Sequence, residues 1–265
     1  MAAVKAAAVP PKGPSLTAGA LRPLARSFYA RPPVVVARDL LGRLLVRPER
    51  GGEALVGRIV ECEAYRQDDP ASHSFRGRTA RTDVMFGPPG HLYVYFTYGM
   101  HYCMNVVTGR DGEGSAVLLR AVEPVEGIDE MQERRLLTDP RLLCAGPARL
   151  TRAFGVGREH NGTDLVQGGD LFIAPGRRVE GSRVGVSSRI GITVAMEEPW
   201  RFYEAGSPFV SRGPRGLSRR ASGSARDPAS GTESAMATER ARMSPRAPER
   251  ARVKVKGWGP ALPSA

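Results

Sequence analysis

Glu61, Glu63 and Tyr65 recur at every second position at the end of an apolar stretch, residues 55 to 65, that begins with Leu55 and Val56. Side chains alternate along a strand, so the two carboxylates and the phenol share one face while Val60, Cys62 and Ala64 share the other. A carboxylate and an aromatic ring two residues apart on one rigid face can hold a flat substrate and act on it. A polar strand edge facing water would use the same residues. Arg120 lies inside a second apolar run, residues 116 to 122. A buried guanidinium needs a carboxylate, and Glu63 or Glu61 on a neighbouring strand is the natural partner; Glu123 or a sheet edge is the plainer one. His73 falls in a long loop and by itself reads as a solvent-exposed histidine.

Other chemistries find little support. Cys62, Cys103 and Cys144 are about forty residues apart, each in or beside an apolar stretch, and form no CxxC pair, so they read as small core residues. The four histidines, His73, His91, His101 and His160, show no metal-ligand spacing, and neither a metal nor a cofactor is expected. No run of about 18 apolar residues is present to span a membrane. The Ala-rich start carries Lys5, Pro10, Pro11 and Lys12 and lacks the continuous apolar stretch of a signal peptide, so an intracellular protein is expected. That means cytoplasm and nucleoid in a bacterium, or the nucleus in a eukaryote. The net charge of +12 points to an anionic partner, of which nucleic acid is the usual intracellular one. From Ser211 onward, twelve basic residues stand against four acidic ones, so the tail holds +8 of that charge.

The elements that must position these residues follow from periodicity and turn chemistry. Residues 1 to 24 are rich in Ala, Pro and Gly and read as a disordered leader; residues 213 to 265 read as a basic disordered tail. Pro32 and Pro33 open a short amphipathic helix with Val35, Val36, Leu40 and Leu41, stopped by Gly42. Residues 43 to 47 and 55 to 65 form a hairpin across a Gly-rich turn. Residues 66 to 90 lack periodicity and form a long loop, a kind that is often functional. An aromatic strand follows in residues 91 to 98, with Leu92, Val94 and Phe96 on one side and Tyr93 and Tyr95 on the other. Tyr98 beside Gly99 projects from its end. Residues 101 to 107 and 116 to 122 are two more strands. From Pro124 the pattern turns helical, with Ile128, Met131, Arg135 and Leu136 on one face, and a second helix starts at Pro147 with Leu150, Ala153 and Phe154 inward. Short strands then lead to the end of the fold near Ser211.

The run from Gly57 to Tyr65, then Ala71-Ser72-His73, the stretch from Met85 to Tyr95, Tyr98-Gly99-Met100, Asn105, and Val117 to Ala121 resemble, in order, the methylpurine (3-methyladenine, alkyladenine) DNA glycosylases. Arg189-Ile190-Gly191-Ile192 and Pro199 to Tyr203 resemble the same family's C-terminal part. The likeness spans residues 26 to 212, and several long motifs in one order are far more specific than any one alone. It implies a single α+β domain over residues 25 to 212, a curved, mostly antiparallel sheet with flanking helices, acting as a monomer on damaged double-stranded DNA. The implied activity is to flip an alkylated purine out of the duplex and hydrolyse its N-glycosidic bond, leaving an abasic site. No lysine or N-terminal proline is placed as a Schiff-base nucleophile, so lyase activity is not expected.

By the same resemblance, Glu63 is the catalytic glutamate that activates water, helped by Arg120 and the backbone carbonyl of Ile190. Tyr65 and His73 stack on the two faces of the flipped base, Tyr95 closes the pocket edge, and Asn105 excludes normal guanine by a clash with its exocyclic amine. Tyr98 is the wedge that fills the gap in the duplex, with Met100 and Leu118 lining the DNA-facing region. The arginine-rich tail lies beyond the likeness; its charge either adds phosphate attraction or is a solvated extension. The competing expectations are a non-catalytic nucleic-acid-binding module, in which Glu63 only pairs with Arg120, and an RNA-binding accessory domain.

Overall fold

Apolar alternation makes residues 55 to 65 the spine of the sheet: they form β2 (Leu55–Tyr65), buried at nearly every position. The structure, a computed structural model, describes residues 21 to 49 and 53 to 212. Along its length β2 pairs antiparallel with β5 (Ala116–Glu126). On its other side it pairs first with β1 (Leu44–Arg47) and then with β8 (Arg201–Glu204). The strand order is β3-β4-β5-β2-β1-β6, with β3 (Leu92–Thr97), β4 (His101–Val107) and β6 (Phe172–Ala174), while β7 (Val184–Ser187) pairs with β8. Every pairing is antiparallel, and the sheet curls as the α+β reading expects.

Two irregularities in the β2–β5 ladder decide what faces the site. Val60 has no partner between the pairs Ile59–Val122 and Glu61–Ala121, and Arg120 has none between Glu61–Ala121 and Cys62–Leu119. An extra residue in a ladder bends the strand and re-aims side chains. The main core therefore takes Leu55 and Ile59 and then Cys62 and Ala64 from β2, and Val117 and Leu119 and then Val122 from β5. Simple alternation grouped Val60 with Cys62 and Ala64. The bulge puts Ile59 in that place, and Val60 is buried outside the main cluster.

Helices cover the opposite face. In α2 (Pro33–Leu40), after the single turn α1 (Arg26–Tyr29), the proline sits in the first turn and Val36, Ala37 and Leu40 are buried, whereas Val35 is exposed. After β5 come α3 (Ile128–Arg135), α4 (Pro140–Leu143) and α5 (Pro147–Ala153). Leu150 and Phe154 have no exposed surface, and burying each contributes roughly 1.5–3 kcal/mol. Gly57 lets α5 approach β2: a Cβ there would lie 2.5 Å from Val122 and 3.1 Å from Phe154.

Several boundaries differ from the sequence reading. Strand β5 continues past Val122 through Pro124, because Val125 is a further extra residue in the ladder and lets the proline pair opposite Gly57. The helix then starts at Ile128, and Leu136, expected on its inner face, is its left-handed C-cap and 83% exposed. The leader reading of residues 1 to 24 runs too far: Leu24 is buried in the core and its N–H donates to Ile173 O at 2.8 Å. Residues 1 to 20 and 213 to 265 lie outside the described residues. No described helix is long and apolar enough to cross a membrane.

Candidate active site

Glu63 is fully buried, and each hydrogen bond that holds it comes from a different part of the chain. Its Oε2 accepts from the Tyr65 hydroxyl at 2.9 Å, and its Oε1 accepts from the Ile190 backbone N–H at 2.7 Å and lies 3.1 Å from Arg120 Nη1. Tyr65, Arg120 and Ile190 all line one cleft of about 500 Å³, so the carboxylate stands directly behind that cleft's wall. Burial, then the neighbouring Glu63 charge and its hydrogen bond, push the Tyr65 hydroxyl well above the ordinary tyrosine range, which keeps it a donor. Burial disfavours the Arg120 charge, but Glu63 and Glu61 outweigh it and hold the guanidinium protonated.

Glu61 forms a second hub. One oxygen accepts from Arg120 Nε at 2.9 Å, Arg201 Nε at 2.7 Å and Ser211 Oγ at 2.8 Å, and the other accepts from the Ser211 N–H at 2.7 Å. The partner left open by the sequence is therefore both glutamates, and Glu123 is taken by Arg58. Glu61 locks Arg120 into place, which leaves Arg120 Nη1 for Glu63. The bulge at Arg120 makes this double engagement possible.

Across the cleft the aromatic row of β3 meets the 66 to 90 loop. His73 Nδ1 lies 3.0 Å from the Tyr93 hydroxyl, and its ring meets Tyr95 edge-on at 4.5 Å between centroids. Burial, and then the Arg81 charge, pull the His73 imidazole below its ordinary value, favouring the neutral ring. Asn105 is buried at the cleft, its Nδ2 donating to Tyr93 O at 3.2 Å, and Leu118, 5% exposed, lies on the same surface. Tyr98 stands at the rim, 83% exposed, with a left-handed φ of 50° that a residue of its size adopts rarely. Met100 is 68% exposed in the same β3–β4 turn and does not line the cleft.

Residues 27–208 match the model of one protein family, described as methylpurine-DNA glycosylase. The chain belongs to the methylpurine-DNA glycosylase family. It is 51% identical over 189 residues to a protein of Carboxydothermus hydrogenoformans named "Putative 3-methyladenine DNA glycosylase", covering 71% of this chain and 98% of that one. Proteins with the same name from Chlorobaculum tepidum and Streptomyces avermitilis are 47% and 49% identical, over 72% and 71% of this chain and 92% and 91% of theirs.

In this member of the family, the residues singled out from sequence converge on one cleft, with Glu63 behind its wall and Met100 outside it. The sequence does not point to Arg201 and Ser211 as partners of Glu61, since 140 and 150 residues separate them from it. Arg81 also lines the cleft, its guanidinium 5.7 Å from the Tyr95 ring centroid, and nothing in the loop sequence around it marks that position. Among the described residues no group of three or more His, Cys, Asp or Glu side chains is placed to hold a metal ion.

Proposed function

We propose that the cleft holds an alkylated purine, flipped out of duplex DNA, between Tyr65 and His73, while Glu63 activates the water that attacks the sugar. Membership of the family, with relatives at about half identity, makes the chain a 3-methyladenine DNA glycosylase, a DNA-repair hydrolase whose substrate is damaged DNA. The observation that carries the residue roles is the grip on Glu63: a fully buried carboxylate held by three groups that each line the same cleft. A purely structural partner for Arg120 is already supplied by Glu61, so ion pairing alone does not account for Glu63.

The chemistry suits these residue types. A 3-methylated adenine carries positive charge in DNA, so it leaves as a neutral base when the C1′–N bond breaks and its electron pair returns to the ring. Water supplies the new oxygen at C1′ and gives its proton to Glu63, with Arg120 and the backbone at Ile190 ordering the approach. Electron-rich rings favour a cationic base by roughly 0.5–2 kcal/mol per contact. Flipping costs a few kcal/mol, and stacking of about 1–3 kcal/mol per base together with the Tyr98 wedge offsets it. Asn105 at the cleft surface discriminates against guanine, and Met100 meets the DNA beside Tyr98. The chain acts as a monomer in this reading, and the basic tail adds phosphate attraction.

The test is to incubate the chain with a methylated duplex and measure free base by chromatography and abasic sites by alkaline cleavage. Release of 3-methyladenine with a matching number of abasic sites is expected. Tight binding without release would support the non-catalytic module instead.

A further inference from the structure

Arg189 and Asp69 form an ion pair in which neither side chain has exposed surface. Arg189 Nη1 donates to Asp69 Oδ2 and to Ala64 O (3.1 Å), and Nη2 donates to Asp69 Oδ1 (3.1 Å) and Ala195 O (3.3 Å). The guanidinium carbon lies 4.6 Å from the Tyr65 ring centroid and 5.0 Å from that of Trp200. Tyr65 lines the cleft and Arg189 does not, so the guanidinium backs the ring on the side away from the cleft.

Together these contacts reach three parts of the cleft. Ile190, next in the chain, donates its N–H to Glu63, and residues 190 to 194 all line the cleft. The bond from Nη2 to Ala195 O closes that segment and holds Ala195 in a left-handed conformation, φ 48°, that a residue with a Cβ adopts rarely. The Asp69 carboxylate in turn accepts from the Ala71 N–H (2.9 Å), and the Asp69 backbone carbonyl accepts from the Ser72 N–H (2.8 Å), fixing the turn that delivers His73. A buried ion pair is a weak source of net stability compared with apolar packing, and Arg189 Nε is left without a hydrogen-bond partner. Geometry, more than stability, accounts for the placement.

We propose that Arg189 is a positioning residue, anchored by Asp69, that sets the width of the slot between Tyr65 and His73 by tying the Tyr65 ring, the 190 to 194 wall and the turn before His73 to one rigid guanidinium. The inference rests on reading that slot as the base site. A planar fork can hold all these partners at once, and a lysine ammonium cannot. Loosening it leaves DNA contacts outside the slot intact while the flipped base is held in poor geometry, and misplacement by about 1 Å costs on the order of 10²-fold in rate.

Arg189→Lys, Arg189→Met and Asp69→Asn, compared with wild type and Glu63→Gln, test this on a methylated duplex carrying 2-aminopurine beside the lesion. The readouts are duplex binding, the 2-aminopurine rise that reports flipping, single-turnover base release and circular dichroism. Expected for Arg189→Lys and Asp69→Asn are binding within about threefold of wild type, a smaller 2-aminopurine rise and release slowed about 10- to 100-fold. Release within about threefold of wild type in these variants, with Glu63→Gln inactive, overturns the positioning role alone. Equal losses of binding and release would make the pair a DNA contact, and loss of native circular dichroism in all three would make it a stability element; either overturns the proposal. Wild-type release by Glu63→Gln overturns the base-site reading itself.

Discussion

Replacing Glu61 by alanine should unfold the protein at markedly lower denaturant. The Glu61 carboxylate has no exposed surface, and it accepts four hydrogen bonds, from Arg120 Nε, Arg201 Nε, Ser211 N–H and Ser211 Oγ. The Arg120 and Arg201 side chains are only 7% and 10% exposed, so neither charge regains much water when its partner is removed. Breaking a buried ion pair by truncating one side costs about 3–5 kcal/mol. Arg120 keeps Glu63 at 3.1 Å and Arg201 keeps Ser187 Oγ at 3.0 Å, which moves the expectation to the lower end, about 3 kcal/mol. For a folded unit of this size that is a fall in melting temperature of about 6–12 °C. Urea unfolding followed by circular dichroism, with an unchanged m value, measures it directly. The exposed pair Arg66–Asp68 supplies the control: Arg66→Ala should cost about 0–1 kcal/mol. A Glu61→Ala variant within about 1 kcal/mol of wild type, with the same m value, would refute the view that Glu61 is the buried anchor of Arg120.

Tyr98→Ala should slow single-turnover base release on a fully paired methylated duplex and slow it less on a mismatched one, because a mismatch already weakens the pairing a wedge must break. Losses of the same size on both duplexes would remove the wedge role. His73 should titrate below 6.5, the direction set by its burial and then by the Arg81 charge, and Arg81→Gln should raise the midpoint. A depressed folded-state value means that the unfolded chain binds more protons below 6.5, so stability falls as pH drops from 6.5 through the folded-state value; above 6.5 the effect is absent. Histidine resonances followed by NMR across this range check it, and a wild-type midpoint at or above 6.5 would contradict the assignment.

Much of the sheet was legible because its strands announce themselves by alternation and turn chemistry: β2 ends where its pattern ends, and Tyr93 and Tyr95 face away from Leu92 and Val94 as read. What alternation cannot carry is a bulge, since an extra residue is defined only by the partner strand; hence Ile59 and not Val60 joins Cys62 in the core. The short helices α1 and α4 span four residues each, too few for a helical period to show. Within the site, Arg120 was conspicuous as a charge among Ala, Val and Leu. The second hub was not, because Arg201 and Ser211 reach Glu61 only after the chain has folded back on β2. The pairing of Asp69 with Arg189 is hidden for the same reason: 120 residues separate them, and the motif that carries Arg189 says nothing of its partner.

The central claim is that Glu63 activates water for hydrolysis at a flipped base. Glu63→Gln keeps the side chain's shape and, through its one carbonyl oxygen, an acceptor for the Ile190 N–H, while its NH2 can donate to the Tyr65 hydroxyl, and it removes the base. Single-turnover release of 3-methyladenine from a methylated duplex, with duplex binding measured in parallel, should show a rate lower by about 10²- to 10⁴-fold and binding retained. Release by the variant at the wild-type rate would contradict the account.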